Sequence, residues 1–321
     1  MRPTVSPLAV WAGIITLYLV WGSTYLGIKL AVETLPPFLM GFLRFLAAGL
    51  ILAGAVALRH RHTIRRPSAV ELRDSTIVGS CLMVGGIGLV SWGEQTVSSG
   101  IAALLIGLMP MWLAIFARVF FRERLPLMAV AGIATGLAGV AVLAWPAGSV
   151  GDVDPAGLAA LIVSPMAWSL GSLYAARKAV LPAPVLFATG IQMTAGGMLL
   201  LIAAVLAGEL TGFDPSAVSA RSWAGMLYLL TVGSLVGYTT YAWLLTIAPL
   251  PRIATYAYVN PVVAVVLGWL LLDEPLTGRM AAAALLIVVA VVLIVTGRGQ
   301  IARPVPPRIG VAVAPGPARG G

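Results

Sequence analysis

The sequence has little of what covers a water-soluble protein. Only 10% of its 321 residues are charged and 60% are hydrophobic. In a soluble domain, about 25% of the residues are charged and about 45–50% are apolar on average. Because a globular protein of this size covers itself with polar groups, this composition excludes a soluble fold. Cys81 is the only cysteine, which excludes an intramolecular disulfide framework. The sequence therefore predicts a polytopic membrane protein.

Patterns for catalysis, metal binding and nucleotide binding are also missing from the sequence. There is no Walker-type glycine loop for ATP and no nucleophile placed beside a base. His60 and His62 lie in a basic stretch without cysteines or carboxylates at ligand spacing, so no metal site is expected. The net charge of +9 comes from short loops and one end of the chain, which argues against a nucleic-acid partner. We expect no enzymatic activity and no cofactor.

Ten apolar segments are long enough to cross a bilayer as helices, since about 20 residues span ~30 Å of hydrocarbon. Barrel strands would instead alternate apolar with polar residues. The predicted spans are residues 9–31, 37–58, 75–92, 100–121, 127–145, 157–176, 185–207, 223–245, 253–272 and 279–297. Residues 298–321, which contain five prolines and four arginines, are predicted to form a disordered basic tail.

The basic residues predict how the chain is oriented in the membrane. With the N-terminus in the cytoplasm, only Lys29, Arg221 and Arg279 lie on the outer side, and Arg44 lies within a span. The other 16 of the 20 Lys and Arg residues are then cytoplasmic, in a basic loop over residues 59–74, in other short loops and in the tail. We therefore expect a protein of the inner (cytoplasmic) membrane with both termini in the cytoplasm.

The two halves of the chain are related by an internal repeat. Offsets of 147–151 residues align prolines, glutamates, tryptophans and intramembrane polar residues of the two halves. The aligned pairs are Pro110 with Pro261, Glu123 with Glu274, Trp21 with Trp168 and Arg44 with Gln192. Five is an odd number of crossings, so the second half enters the membrane from the opposite face. Inverted repeats of this kind, here residues 9–145 and 157–297, are typical of secondary transporters.

These residues resemble an EamA-type domain, from the ten-helix branch of the drug/metabolite transporter superfamily. The opening motifs are residues 21–25 (WGSTY) and 44–46 (RFL). The closing motif is Pro110 followed by residues 122–125 (RERL), and residues 261–276 repeat it. The resemblance implies an all-α fold of two inverted five-helix bundles around a central cavity. It also implies export of amino acids, other metabolites or drugs.

The sequence thus predicts a secondary transporter that exports a small amphipathic metabolite or a drug by alternating access. The alternatives are a membrane-embedded enzyme and a non-transporting scaffold. An enzyme would need acidic or histidine residues within the spans, and a scaffold would not need an inverted repeat with paired mid-helix prolines.

Gly132, Gly136 and Gly139 allow close helix packing. The sequence leaves open whether they contact the same chain or a second copy in a homodimer.

Several residues are candidates for the substrate cavity. Trp21 and Trp168 are repeat partners, and Tyr256 and Asn260 share one helix face at i, i+4. The candidate binding residues are Trp21, Tyr25, Arg44, Trp168, Tyr241, Tyr256 and Asn260. Pro110, Pro165 and Pro261 interrupt the hydrogen bonds of their helices in mid-span and act as hinges or as static kinks.

Two charged candidates each have more than one interpretation. Arg44, which costs ~2.5–3.5 kcal/mol to bury in lipid, is a counter-charge for an anionic substrate or a structural residue bonded to backbone carbonyls or to Glu94. Glu94 is a proton-coupling carboxylate with a raised pKa, a solvated helix cap, or the salt partner of Lys29 or Arg44.

The middle of the spans contains no Asp or Glu. The exchange mechanism of small multidrug-resistance antiporters, which use a glutamate within their first helix, is therefore not expected.

Overall fold

The computed structural model describes residues 6–144, 154–248, 253 and 255–299, and within these ranges the regular structure is helical. The helices confirm the predicted all-α polytopic fold. They are α1 (Pro7–Ala31), α2 (Pro37–Arg59), α3 (Ala69–Gly93), α4 (Ser99–Phe121), α5 (Leu127–Ala144), α6 (Pro155–Arg177), α7 (Val185–Leu206), α8 (220–247), α9 (Tyr256–Leu272) and α10 (Gly278–Gly299).

Length and composition allow seven of these helices to cross a membrane by themselves, namely α1 to α4, α6, α7 and α10. Residues Leu127–Leu143 of α5 and Val259–Leu272 of α9 form shorter apolar helices. The predicted tail, residues 298–321, lies outside the described residues from position 300 onward, and α10 continues as helix to Gly299.

Helix α3 begins at Ala69, before the apolar segment that was predicted to start at residue 75. The Oγ of Ser68 accepts a hydrogen bond from the Glu71 N–H at 3.3 Å, and the Glu71 carboxylate accepts one from the Ser68 N–H at 2.8 Å. This capping box starts a helix at Ala69. The predicted basic loop over residues 59–74 is therefore wrong for residues 69–74, because hydropathy does not detect a capped polar first turn.

Backbone irregularities recur in both halves at the repeat spacing. Arg122 ends α4 with φ of 54° and Asp273 ends α9 with φ of 53°. The N–H of Arg122 reaches back to the Ala117 carbonyl, and that of Asp273 to the Gly268 carbonyl. Wider π-helical turns occupy Ser80–Gly88 in α3 and Leu229–Val236 in α8. The two halves therefore share these backbone features at equivalent positions.

Helix packing has the same twofold symmetry. Helix α2 packs along α7, and α5 packs along α10. Helix α1 packs against α8 and α9 of the other half, while its counterpart α6 packs against α3 and α4. Exchanging each of these helices for its repeat partner maps the contacts just named onto one another. The halves therefore contribute equivalent helices to the centre of the bundle.

Glycines allow the closest of these contacts. A Cβ atom at Gly49 of α2 would lie 2.7 Å from the carbonyl oxygen of Gly190 in α7. A Cβ atom at Gly132 of α5 would lie 2.8 Å from the Ala290 carbonyl oxygen of α10. Helices in lipid associate through such close packing. The glycine face of α5 therefore makes a close contact within the chain.

Candidate functional site

A cavity of about 110 Å³ lies at the centre of the bundle. It is bounded by helices of both halves: α1, α2, α3 and α4 from the first and α6, α8 and α9 from the second. Apolar groups make up most of its wall, and a few polar side chains interrupt them. Small-molecule sites commonly have this composition.

Six of the seven candidate binding residues line this cavity: Trp21, Tyr25, Arg44, Trp168, Tyr256 and Asn260. The seventh, Tyr241, lies outside the lining. Its ring packs against Trp21, with 5.3 Å between ring centres. Tyr238, almost one turn earlier on α8, takes the lining position instead.

The rings around Trp21 form one cluster across the two halves. Trp21 meets Tyr238 and Tyr256 edge-on, at 5.8 Å and 4.9 Å between ring centres. Such geometry adds about 0.5–1.5 kcal/mol per pair beyond burial. Tyr238 was not among the predicted cavity residues, although its i, i+3 spacing from Tyr241 places both near one helix face.

Arg44 has one partner in this wall and one nitrogen without a partner. Its side chain is 3% exposed, and Nε donates to the Oγ of Ser234 at 2.9 Å. Its guanidinium carbon lies 4.7 Å from the ring centre of Phe45. Nη1 is buried without a hydrogen-bond partner among the described residues. The proposed bonds to backbone carbonyls or to Glu94 are therefore wrong, because α8 brings the Ser234 hydroxyl beside Arg44.

Asn260 adds an unused acceptor to the same cavity. It is 7% exposed, and its Oδ1 has no hydrogen-bond partner in the described part of the chain. A buried amide oxygen without a donor is unfavourable unless a ligand or water supplies one. The cavity wall thus contains one unused donor nitrogen and one unused acceptor oxygen.

The three mid-span prolines occupy different positions relative to the cavity. Pro165 of α6 and Pro261 of α9 line it. Pro110 does not line the cavity. The helical hydrogen bonding of α4 is interrupted at Leu108, two residues before Pro110, and the intervening Met109 lines the cavity. The carbonyl oxygen of Met109 accepts a hydrogen bond from Ser169 of α6 at 3.2 Å. The interruption in α4 therefore exposes backbone groups beside the cavity.

Glu94 follows the last residue of α3, and its surroundings match neither a solvated helix cap nor a salt-bridge partner. It is wholly buried, and neither carboxylate oxygen has a hydrogen-bond partner among the described residues. Lys29 donates to the backbone carbonyls of Glu94 and Val97, at 2.5 Å and 3.0 Å, instead of to the carboxylate. Glu94 is thus neither a solvated cap nor a salt-bridge partner, because the loop folds its side chain inward. Burial raises the pKa of Glu94 well above its usual range, and Lys29 opposes that shift in part.

The EamA-like transporter family matches the chain over residues 9–145 and 155–296. The chain belongs to this family. The uncharacterized inner membrane transporter YedA of Escherichia coli is 36% identical over 90% of this chain and 91% of its own length. A probable terminal-alkyne amino-acid exporter of Streptantibioticus cattleyicolor is 28% identical over 83% of this chain and 86% of its own length. These matches identify the protein as a multi-pass membrane transporter and confirm the predicted family.

A solved structure shows the same fold. A crystal structure superposes with a TM-score of 0.59 at 22% identity, and covers 92% of this chain and 100% of the solved chain. At that identity the similarity concerns the fold alone.

Proposed function

We propose that this EamA-like transporter is a secondary exporter of the inner membrane. Its substrates are small amphipathic metabolites that carry a carboxylate group, such as amino acids or related compounds. Arg44 lines the cavity, and its Nη1 has no hydrogen-bond partner among the described residues; this observation carries the proposal. A buried cationic nitrogen without a partner favours an anionic ligand, because hydrogen bonds between charged groups are short and strong.

The other wall residues fit the rest of such a molecule. The Oδ1 of Asn260 is free to accept a hydrogen bond from an ammonium group. The faces of Trp21 and Tyr256 suit an apolar side chain or a cation. The cavity volume of about 110 Å³ favours a small metabolite over a bulky drug. An amino acid combines all of these features.

The inverted repeat supports alternating access as the mechanism. Equivalent helices of both halves surround the cavity, so a rocking of one half against the other could open either end in turn. The exporter named among the relatives supports outward movement of an amino acid. Uptake is the alternative direction that a transport measurement must exclude.

Exchange in proteoliposomes tests the substrate class. Vesicles loaded with amino acids, sugars, nucleosides or cationic dyes are assayed for counterflow of the same labelled compound. We expect exchange of carboxylate-bearing amino acids, and a loss of about tenfold or more for Arg44→Gln, since a charged hydrogen bond is worth about 1.5–3 kcal/mol. Arg59→Gln, at the exposed end of the same helix, is the matched control and should exchange like the parent.

Drug export is the second candidate function, and the aromatic cluster around Trp21 favours it. Exchange of cationic dyes without exchange of any carboxylate compound would support it and refute the proposed substrate class. Efflux from cells that express the protein, compared with Arg44→Gln, then tests direction. Net accumulation of the amino acid inside those cells would contradict export.

A further inference from the structure

The side chain of Glu94 is wholly buried at the end of α3, close to the central cavity. Tyr25 and Lys29 face it from α1, and both interact with it electrostatically. Tyr25 also lines the substrate cavity. The carboxyl group of Glu94 is therefore beside the cavity and closed off from solvent.

The cation nearest to Glu94 is already engaged elsewhere. Lys29 holds the backbone of the α3–α4 connection through the carbonyl oxygens of Glu94 and Val97. Neither oxygen of the Glu94 carboxylate receives a hydrogen bond from the described residues. An enclosed carboxylate without donors is favoured in its neutral, protonated form.

A second acidic group strengthens this preference. Glu274, which follows α9, also interacts electrostatically with Glu94. Its carboxylate accepts hydrogen bonds from the N–H groups of Ser99 and Gly100, at 2.7 Å and 3.1 Å, at the start of α4. Its negative charge disfavours a second charge on Glu94.

Helices α6 and α2 supply no hydrogen-bond partner for the Glu94 carboxylate among the described residues. Helix α6 presents Gly157 and Leu161 to the neighbouring Gly93. Asp154, at the start of α6, accepts hydrogen bonds from Thr96 and from its own first turn. The only ionisable residues of α2 are Arg44, bonded to Ser234, and Arg59 at its far end.

We propose that Glu94 is a proton-binding site that controls closure of its end of the transporter. It is protonated when that end is closed, as in this structure, and releases the proton to the adjoining solution when that end opens. The proposal rests on the proposed transport function. It differs from the antiporter mechanism with a mid-span acid, because Glu94 lies at a helix end and outside the substrate cavity.

The sign of the pH dependence follows from this arrangement. The closed form binds the proton more tightly than the open form, so acid on that side favours closure and alkali favours opening. The proton moves between water and a carboxylate oxygen of Glu94, and no other bond changes. In the predicted orientation, the adjoining solution is the external one.

Cysteine accessibility measures the closure without any substrate. The probe position is Val90, a cavity-lining residue one turn from the end of α3 and 2% exposed. Full-length Val90→Cys in a Cys81→Ala background is labelled in membranes with an impermeant maleimide. Rates are divided by those of Thr211→Cys, an exposed residue at the same end, to remove the intrinsic pH dependence of thiols.

We expect the normalised rate to rise about tenfold between pH about 5 and about 9. Glu94→Gln, which mimics the protonated form, should label slowly at every pH. Glu209→Gln is the matched control at the same end, since both oxygens of Glu209 are used by the N–H groups of Phe38 and Leu39. It should keep the pH dependence of the parent.

A pH-independent rate in the parent, or a pH-dependent rate in Glu94→Gln, would overturn the proposal. Infrared spectroscopy of the parent protein covers the case in which Glu94→Gln fails to fold. A protonated carboxyl band at neutral pH that disappears in alkali is expected, and its absence refutes the proposal. Both measurements are independent of the transported compound, so a wrong substrate class would not affect them.

Discussion

Trp21 of α1 packs directly against Gly237 of α8, so that a Cβ atom at Gly237 would lie 2.5 Å from the indole Nε1. Trp168 of α6 has the same relationship to Gly86 of α3, where a Cβ atom would lie 2.7 Å from the ring. Each half therefore places a tryptophan against a glycine of the other half, and both tryptophans line the cavity. The pair is symmetric under exchange of the repeats.

Alanine at either glycine should disturb the cavity wall. We expect Gly237→Ala and Gly86→Ala each to reduce exchange in proteoliposomes several-fold, because the added methyl group pushes the indole ring out of position. Gly54→Ala in α2 is the control, since nothing lies within 4 Å of its Cβ position. It should transport normally and gain about 0.5–1 kcal/mol of helix stability. Normal exchange by both cavity variants would show that the wall tolerates the displacement.

Glu274 joins the end of α9 to the start of α4, through hydrogen bonds to Ser99 and Gly100. We expect Glu274→Gln to lower the free energy of unfolding by about 1–2 kcal/mol, because the amide loses the charge that favours a helix N-terminus. Thermal unfolding in detergent, followed by tryptophan fluorescence, measures the change.

The exposed pair of Glu33 with Arg221, 3.4 Å apart, provides the control for that measurement. Glu33→Gln should change stability by less than about 0.5 kcal/mol. An equal loss in the two variants would mean that the contact of Glu274 with α4 contributes no more than a surface ion pair.

The orientation of the chain is testable by labelling from one side. Thr63 follows the end of α2, whereas Thr211 is adjacent to Glu209, which caps the start of α2. The two residues therefore lie at opposite ends of this helix. In a Cys81→Ala background, we expect an impermeant maleimide outside intact cells to label Thr211→Cys and not Thr63→Cys. Labelling of Thr63→Cys alone would invert the predicted topology.

Local sequence was sufficient to predict the helices, because a spanning segment needs only enough apolar residues in succession. Spacing also predicted the repeat, and at that spacing Arg122 and Asp273 have the same left-handed backbone conformation. The start of α3 was missed since its first turn is polar and depends on the capping box of Ser68 and Glu71.

Site residues were predictable only in part. Trp21 and Trp168 could be found because repeat partners occupy equivalent positions, and both line the cavity. Tyr238 and Tyr241 could not be separated, since residues three apart lie near the same face of a helix. Both pack against the ring of Trp21, and only the packing of helices distant in sequence places Tyr238 in the cavity wall.

By itself, the sequence determined the membrane environment, the ten helices and the family, because these depend on composition and on motifs along one chain. Only the tertiary structure decided what the polar residues meet. Arg44 bonds to Ser234, 190 residues away. Glu94 is buried without a donor among the described residues, while Lys29 bonds to the backbone carbonyls of Glu94 and Val97. Such partners come from helices distant in sequence, and in a buried site a shift of one residue along a helix replaces one partner by another.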